Sequence, residues 1–116
     1  MPETAPQTKT TPKTQTARGA LSVLQRFQSL NSEFPLQYAV CLLEIALNEG
    51  LSLTDLATKT NMALSTVSRI VGALSTQRQQ GIPYQLVEAR VNPNNRRQKE
   101  IYLTSQGRSF VKTLTA

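Results

Sequence analysis

The 116-residue chain contains no histidine, no tryptophan and a single cysteine, Cys41. The absence of histidine excludes a Cys/His zinc cluster, a Ser–His–Asp triad and a Cys–His nucleophile pair. A single cysteine cannot form a disulfide within the chain, which fits a reducing compartment. Reactive thiols need exposure and nearby positive charge, whereas Cys41 has apolar neighbours, so we expect a core residue rather than a redox sensor. The sequence also lacks a phosphate-binding loop, and we expect a protein that is not an enzyme and binds no metal or cofactor.

Aromatic residues and long apolar runs are scarce as well. Aromatics make up 5% of the chain and hydrophobic residues 39%, so the predicted core is aliphatic. No stretch approaches the ~20 apolar residues that span a bilayer. Polar residues and proline follow Met1 instead of an apolar run, so no signal peptide is expected. The composition and length predict one modest domain in the cytoplasm.

Positive charge is concentrated in the second half of the chain. The net charge is +6, and the residues from Leu64 onward contain eight Lys/Arg against two Glu, so they carry the whole excess. Such a distribution is typical of a surface that binds a polyanion; the alternative is a basic domain without a nucleic-acid role. Residues 1–17 are rich in Thr, Pro, Gln and Lys, which predicts a disordered, weakly cationic tail before a domain at residues 18–116.

The first two predicted helices are strongly apolar. Residues 18–30 place an apolar side chain at every third position, which predicts a helix with an apolar stripe. Pro35 is suited to open a second helix that ends before Gly50. Residues 36–47 are apolar on nearly every side, which predicts a buried central helix.

The next segment predicts a helix-turn-helix. Leu51 is expected to form a single bridge to a sheet, and residues 52–55 resemble a capping box that starts a short helix. Asn61 tolerates the left-handed backbone of a turn. A second helix over residues 64–80 follows, which either has Ala63 in the capping position or is capped by Ser65 and starts two residues later. Its residues Val67, Ile70, Val71 and Leu74 fall at helical spacing, which turns an outward face toward solvent; that face comprises Ser65, Thr66, Ser68 and Arg69.

The remainder predicts a wing and a last helix. Residues 86–91 and 99–103 favour two strands, and the Pro/Asn sequence at 92–95 favours a turn between them. Thr104 is predicted to cap a helix over 105–114, in whose first turn Gly107 allows another backbone to approach closely. The order α-α-(β)-α-α-β-β-α is mainly α with a small β-hairpin (α+β), a winged helix-turn-helix with its wing at residues 86–103.

The wing resembles that of the MarR-like winged-helix transcriptional regulators. In that family a turn of the form Asp-Pro-Glu-Asp-Arg-Arg precedes a strand and then Leu-Thr-x-x-Gly. Here Asn92-Pro93-Asn94-Asn95-Arg96-Arg97 is followed, six residues on, by Leu103-Thr104-Ser105-Gln106-Gly107. Residues 65–69 are similar to the recognition helix of the family, and the resemblance covers residues 34–112. Asn95 departs from the pattern, because the family has an aspartate there that orients the wing arginines.

Together these features predict sequence-specific binding to double-stranded DNA. The helix at 64–80 would read base edges in the major groove, and the wing at 86–103 would reach the minor groove or its phosphates. The resemblance implies that Arg97 is the residue that enters the minor groove. The candidate DNA-binding residues are Ser65, Thr66, Ser68, Arg69, Arg90, Arg96, Arg97 and Lys99.

A single winged helix has a small footprint, so we expect a homodimer on a pseudo-palindromic site. The expected activity is transcriptional regulation, as a repressor associated with the nucleoid. Two alternatives are a replication or partition accessory factor of a plasmid or virus, and a protein-interaction module that does not bind DNA. The candidate dimer surface, whose residues alternatively close the core of the monomer, comprises Leu21, Leu24, Phe27, Leu30, Phe110, Val111 and Leu114.

Overall fold

The structure is a computed structural model that describes residues 12–76 and 84–114. The strands form one antiparallel hairpin, and Leu51 forms an isolated bridge with Ile101. This order confirms the predicted winged helix-turn-helix. In chain order the elements are α1 (Pro12–Leu30), α2 (Leu36–Leu47), α3 (Leu53–Thr60), α4 (Leu64–Leu74), β1 (Val87–Asn92), β2 (Asn95–Leu103) and α5 (Ser105–Thr113).

An aliphatic core lies between α2, α3, α4 and the base of the wing. Helix α2 is buried on one side only: on its other side the side chains of Leu36 and Leu47 are 66% and 79% exposed. The prediction of a helix buried all round was therefore wrong for this face, since the other elements pack on the opposite side of α2. The largest side chains in the core are Leu42, Ile45, Leu56, Val67, Ile70, Leu74 and Ile101.

Five of the six aromatic residues form a second cluster beside that core. The ring of Phe27 lies 5.3 Å from that of Phe34 and 5.2 Å from that of Phe110, and the ring of Phe34 lies 5.1 Å from that of Tyr84 and 5.8 Å from that of Tyr38. These contacts join α1 to α5 and to the segments that precede α2 and β1. Residues 14–22 of α1 are exposed, so the helix is attached to the body mainly through its C-terminal part.

Helix α1 begins at Pro12 rather than at residue 18. The prediction of a disordered tail is therefore wrong for residues 12–17, while residues 1–11 lie outside the described part of the chain. Proline loses no hydrogen bond at the first position of a helix, and Lys, Gln and Ala, which follow it, are good helix formers.

Helix α4 ends at Leu74 rather than near Gln80. The N–H of Ser75 donates back to Val71 and Gly72, and the N–H groups of Gln85 and Leu86 donate to the carbonyls of Ser75 and Leu74 at 2.9 and 2.7 Å. The returning chain thus satisfies carbonyls that another helical turn would have used. The predicted continuation over residues 77–80 and the connector up to Pro83 lie outside the described residues.

The thiol of Cys41 is fully buried in α2. Burial raises its pKa to about 11, and the nearby carboxylate of Glu44 adds to the shift. Its sulfur lies 4.0 Å from that of Met62. The thiolate is therefore scarce near neutral pH, which agrees with the predicted core role.

The two helices of the helix-turn-helix differ in how they start. The Ser52 hydroxyl accepts the N–H of Asp55 at 3.1 Å, and the Asp55 carboxylate accepts the N–H of Ser52 at 3.3 Å, which confirms the capping box of α3. Asn61 has the predicted left-handed backbone, with φ of 56°. Helix α4 starts at Leu64 with Ala63 in the capping position and no side-chain cap, so Ser65 is not its cap.

Gly107 is required where α5 crosses the chain that enters β1. A Cβ atom at this position would lie 2.0 Å from the carbonyl oxygen of Leu86, which accepts the N–H of Thr104.

We expect Gly107→Ala to lower the free energy of unfolding by about 1–3 kcal/mol, because the backbone must shift. Gly19→Ala is the matched control: no neighbour lies within 4 Å, and alanine should raise helix stability by about 0.5–1 kcal/mol. Urea unfolding followed by circular dichroism measures both, and equal stability of Gly107→Ala and wild type would contradict the contact.

The starts of α3 and α4 give a second prediction, in which one substitution raises the stability of the fold and another lowers it. Ala63 already has the extended backbone of a capping residue, with φ of −64° and ψ of 146°. Ala63→Ser should therefore stabilise the fold by about 1 kcal/mol, and Ser52→Ala should destabilise it by about the same amount. Thermal unfolding measures both changes, and a loss of stability in Ala63→Ser would show that the start of α4 cannot accept a cap.

Candidate nucleic-acid interface

A groove of about 820 Å³ opens between the first turn of α3, the start of α4 and the tip of the wing. Three segments that are distant in sequence thus share one surface. Among the described residues, the lining consists of Ser52, Leu53, Thr54, Asp55, Leu64, Ser65, Ser68, Asn95, Arg97, Gln98 and Lys99.

The buried side of α4 fixes which of its side chains meet the groove. Val67, Ile70, Val71 and Leu74 are buried, as their spacing predicts. Ser65 and Ser68 are exposed and line the groove. Two further candidates on α4 lie beside it: Thr66 is half-buried, and Arg69 is exposed one turn after Ser65, at the far edge of the same face.

The register of the wing explains how its tip is built. Asn92 pairs with Asn95 and Val91 pairs with Lys99, so residues 96–98 lie in an irregularity outside the regular pairing. The Asn95 side-chain oxygen accepts the backbone N–H of Arg97 at 3.2 Å. The amide of Asn95 thus holds the backbone of this bulge, in place of the carboxylate expected from the family pattern.

The two arginines of the wing tip are not equivalent. Arg97 lines the groove together with Gln98 and Lys99, whereas Arg96 is exposed but is not part of the lining. A chain that bulges out of the ladder no longer alternates strictly between two faces, so neighbouring residues on it can share one side. The bulge therefore brings consecutive side chains toward α4.

Arg90 lies apart from the other candidates. It pairs with Glu100 across the hairpin, and strand alternation places it on the face opposite Lys99. Its Nε donates to Glu88 Oε2 at 2.9 Å, and this hydrogen bond raises the pKa of Arg90. Its guanidinium carbon lies 4.1 Å from the centre of the Tyr102 ring. The structure therefore does not bring Arg90 to the groove.

Carboxylates are mostly on the far side of the wing from the groove. Glu88 pairs with Arg90, and Glu100 accepts the hydroxyl of Tyr102 at 2.9 Å, which raises the pKa of that tyrosine. Asp55 is the acidic residue in the lining, and its carboxylate is engaged by the backbone at the start of α3, where a negative charge is favourable. The groove thus combines two cations, Arg97 and Lys99, with hydroxyl and amide groups.

Seven of the eleven described lining residues are not among the candidates predicted from the sequence: Ser52, Leu53, Thr54, Asp55, Leu64, Asn95 and Gln98. Leu64 lies three and seven residues before Val67 and Val71, so its spacing indicates the buried face, yet its side chain is 51% exposed. Gln98 lies between the predicted turn and strand, and only the register of the hairpin places it in the groove.

Two negative findings concern the part of the chain that the structure describes. Residues 12–76 and 84–114 contain no helix that is both long and apolar enough to cross a membrane. Within the same ranges, no three side chains of the His, Cys, Asp or Glu types come together as a metal site.

Comparison of the sequence with protein families matches residues 45–79 to the IclR helix-turn-helix domain. This segment contains α3 and α4 but not the wing. No match was found among curated proteins.

The fold is similar to solved structures of MarR family regulators. A MarR family transcription regulator, SP03579, is 21% identical with a TM-score of 0.62, over 89% of this chain and 60% of its own length. MepR of S. aureus in complex with DNA is 19% identical with a TM-score of 0.69, over 89% of this chain and 77% of its own length. The transcriptional repressor CouR, bound to a 23-mer DNA duplex, is 22% identical with a TM-score of 0.60, over 90% of this chain and 70% of its own length.

Because the sequence identities are low, these comparisons show similarity of fold. This chain spans less than two thirds of the length of SP03579. The family match and the structural neighbours agree on the helix-turn-helix, and the neighbours extend the agreement to the hairpin and the flanking helices. The chain therefore has the winged helix-turn-helix fold of the MarR family transcription regulators.

Proposed function

We propose that the protein is a sequence-specific double-stranded DNA-binding regulator of transcription. The observation that carries this proposal is the shared groove, in which Ser65 and Ser68 of α4 face Arg97 and Lys99 of the wing. Hydroxyl groups and cations on one concave surface match the base edges and phosphates of a duplex.

In this proposal α4 enters the major groove with its first turns. Ser65 and Ser68 offer short donors and acceptors to base edges, and Arg69 reaches further along the same face. A bidentate contact of arginine with guanine contributes about 1–3 kcal/mol of discrimination. Thr66 is half-buried, so we assign it a supporting contact at most.

The wing serves the neighbouring minor groove. Arg97 is the proposed inserting residue, and a narrow A·T-rich groove would favour it because negative potential is concentrated there. Arg96 and Lys99 are proposed to contact phosphates, which position the protein without specifying sequence. We leave Arg90 out of this set, because its guanidinium is paired with Glu88 on the opposite face.

The comparisons support a regulatory role. MepR and CouR were solved with DNA bound, and CouR is a transcriptional repressor. By similarity of fold, we propose that this chain represses transcription as a non-enzymatic DNA-binding protein in the cytoplasm, on the nucleoid.

We also propose a homodimer, with a narrower surface than the sequence suggests. Phe27 and Leu114 are 3% and 9% exposed, so they close the core of the monomer. Leu21 and Leu24 are 55% and 46% exposed on α1 and remain available to a second copy. The half-buried residues Leu30, Phe110 and Val111 pack against the core and could contribute only their outer parts.

Arg97 and Arg90, which lie on opposite faces of the wing, provide a matched test of DNA binding. Arg97→Ala should weaken binding to any duplex and reduce the slope of log K against log [salt] by about 1, since one cation is removed from the surface that meets the duplex. Arg90→Ala removes the same charge from the opposite face and should leave the slope unchanged. Fluorescence anisotropy on a duplex at several salt concentrations measures both. If the two variants behave alike, or if wild type binds no duplex at low salt, the proposed interface is wrong.

The dimer surface is tested by placing a charge on it. Leu24→Glu should shift the protein to monomers and weaken binding to a two-fold DNA site, because a carboxylate would be buried between the two copies. Leu47→Glu, on the exposed face of α2, is the control. Sedimentation equilibrium measures the oligomeric state, and a dimer that persists in Leu24→Glu would contradict pairing through α1.

A further inference from the structure

Leu64 is an apolar side chain that the proposed contacts do not use. It is the first residue of α4, it lines the groove, and it is 51% exposed. The apolar residues that follow on the same helix, Val67 and Val71, are 0% and 7% exposed. Leu64 therefore presents a large apolar surface in the groove, whose other leucine, Leu53, is half-buried and whose remaining lining residues are polar or charged.

Its position places it among the side chains that meet DNA in the proposed docking. The N-terminal residues of a recognition helix contact base edges in the major groove. Leu64 and Ser68 are four residues apart, so they are neighbours on the helix surface, and both line the groove. Leu64 is outside the buried core cluster, which argues against a purely structural role.

The chemistry of the side chain selects its partner. A leucine forms no hydrogen bonds, and the apolar feature that the four base pairs display in the major groove is the C5 methyl group of thymine. Contact between the two removes apolar surface of both from water. We propose that Leu64 is a specificity-determining residue that recognises the methyl group of one thymine in each half-site. This inference rests on the proposed function, since it requires α4 to lie in the major groove.

The test removes only that methyl group. A binding duplex is first selected from a random pool with the full chain, and each thymine is then replaced singly by uracil, which keeps every hydrogen-bonding group. At one position per half-site, wild type should bind the uracil duplex about fourfold more weakly, the change expected for one buried methyl-sized group. Leu64→Ala should bind both duplexes with affinities that differ by less than about twofold.

Two variants separate methyl recognition from a general loss of affinity. Leu64→Met retains an apolar side chain of similar size and should keep the preference for thymine, while Leu47→Ala removes an exposed leucine outside the groove and should behave as wild type. The quantity compared is the ratio of the two affinities, which does not depend on how tightly a variant binds overall.

The outcomes distinguish this inference from the proposed function. If wild type binds a selected duplex but no uracil substitution weakens it, the thymine contact is absent. The contact is also refuted if Leu64→Ala keeps the full preference for thymine. If wild type selects no duplex at all, the proposed function itself fails, and this inference fails with it.

Discussion

The wing is joined to the helices by two backbone hydrogen bonds, on which the shape of the groove depends. The N–H of Gly50 donates to the carbonyl of Ile101 at 2.8 Å, and the N–H of Ile101 donates to the carbonyl of Leu51 at 2.9 Å. These bonds lie immediately before the capped start of α3. Because α3 and the wing form opposite walls, the same short contact sets the distance between them. The two walls of the groove are thus tied to each other by backbone hydrogen bonds at its base.

A second set of contacts fixes the base of the wing and leaves its tip free. Glu49 accepts the N–H of Leu103 at 2.9 Å and forms an ion pair with Arg108 on α5. Leu86 is bound to α4 through its N–H and to Thr104 through its carbonyl. At the tip, the side chains of Asn92 and Asn95 accept backbone N–H groups of the turn itself. A rigid base and a locally ordered tip allow cations to project without surrounding packing.

Local rules predicted the helix-turn-helix and the hairpin well, since capping residues, turn residues and helical spacing act over a few residues. The start of α1 was missed because a polar composition was interpreted as a tail. The end of α4 was misjudged, since it depends on hydrogen bonds from Gln85 and Leu86, which are distant in sequence. The sites show the same division: Ser65, Ser68, Arg97 and Lys99 line the groove as the pattern suggested, whereas the far-side position of Arg90 depends on the register of the hairpin. Leu64 was missed because its spacing is that of a buried residue.

The ring contacts around Phe27 have a mechanical consequence. Helix α1 has 19 residues and is therefore roughly 28 Å long. Near its C-terminal end, the ring of Phe27 packs against Phe110 of α5 and against Phe34, which precedes α2. A small rotation about these ring contacts becomes a displacement of several ångströms at the N-terminal end of the helix. In the proposed dimer, joined through Leu21 and Leu24 of α1, such a rotation would change the distance between the two DNA-binding surfaces. The half-site spacing of that dimer would then depend on ring contacts that lie apart from the DNA-binding groove.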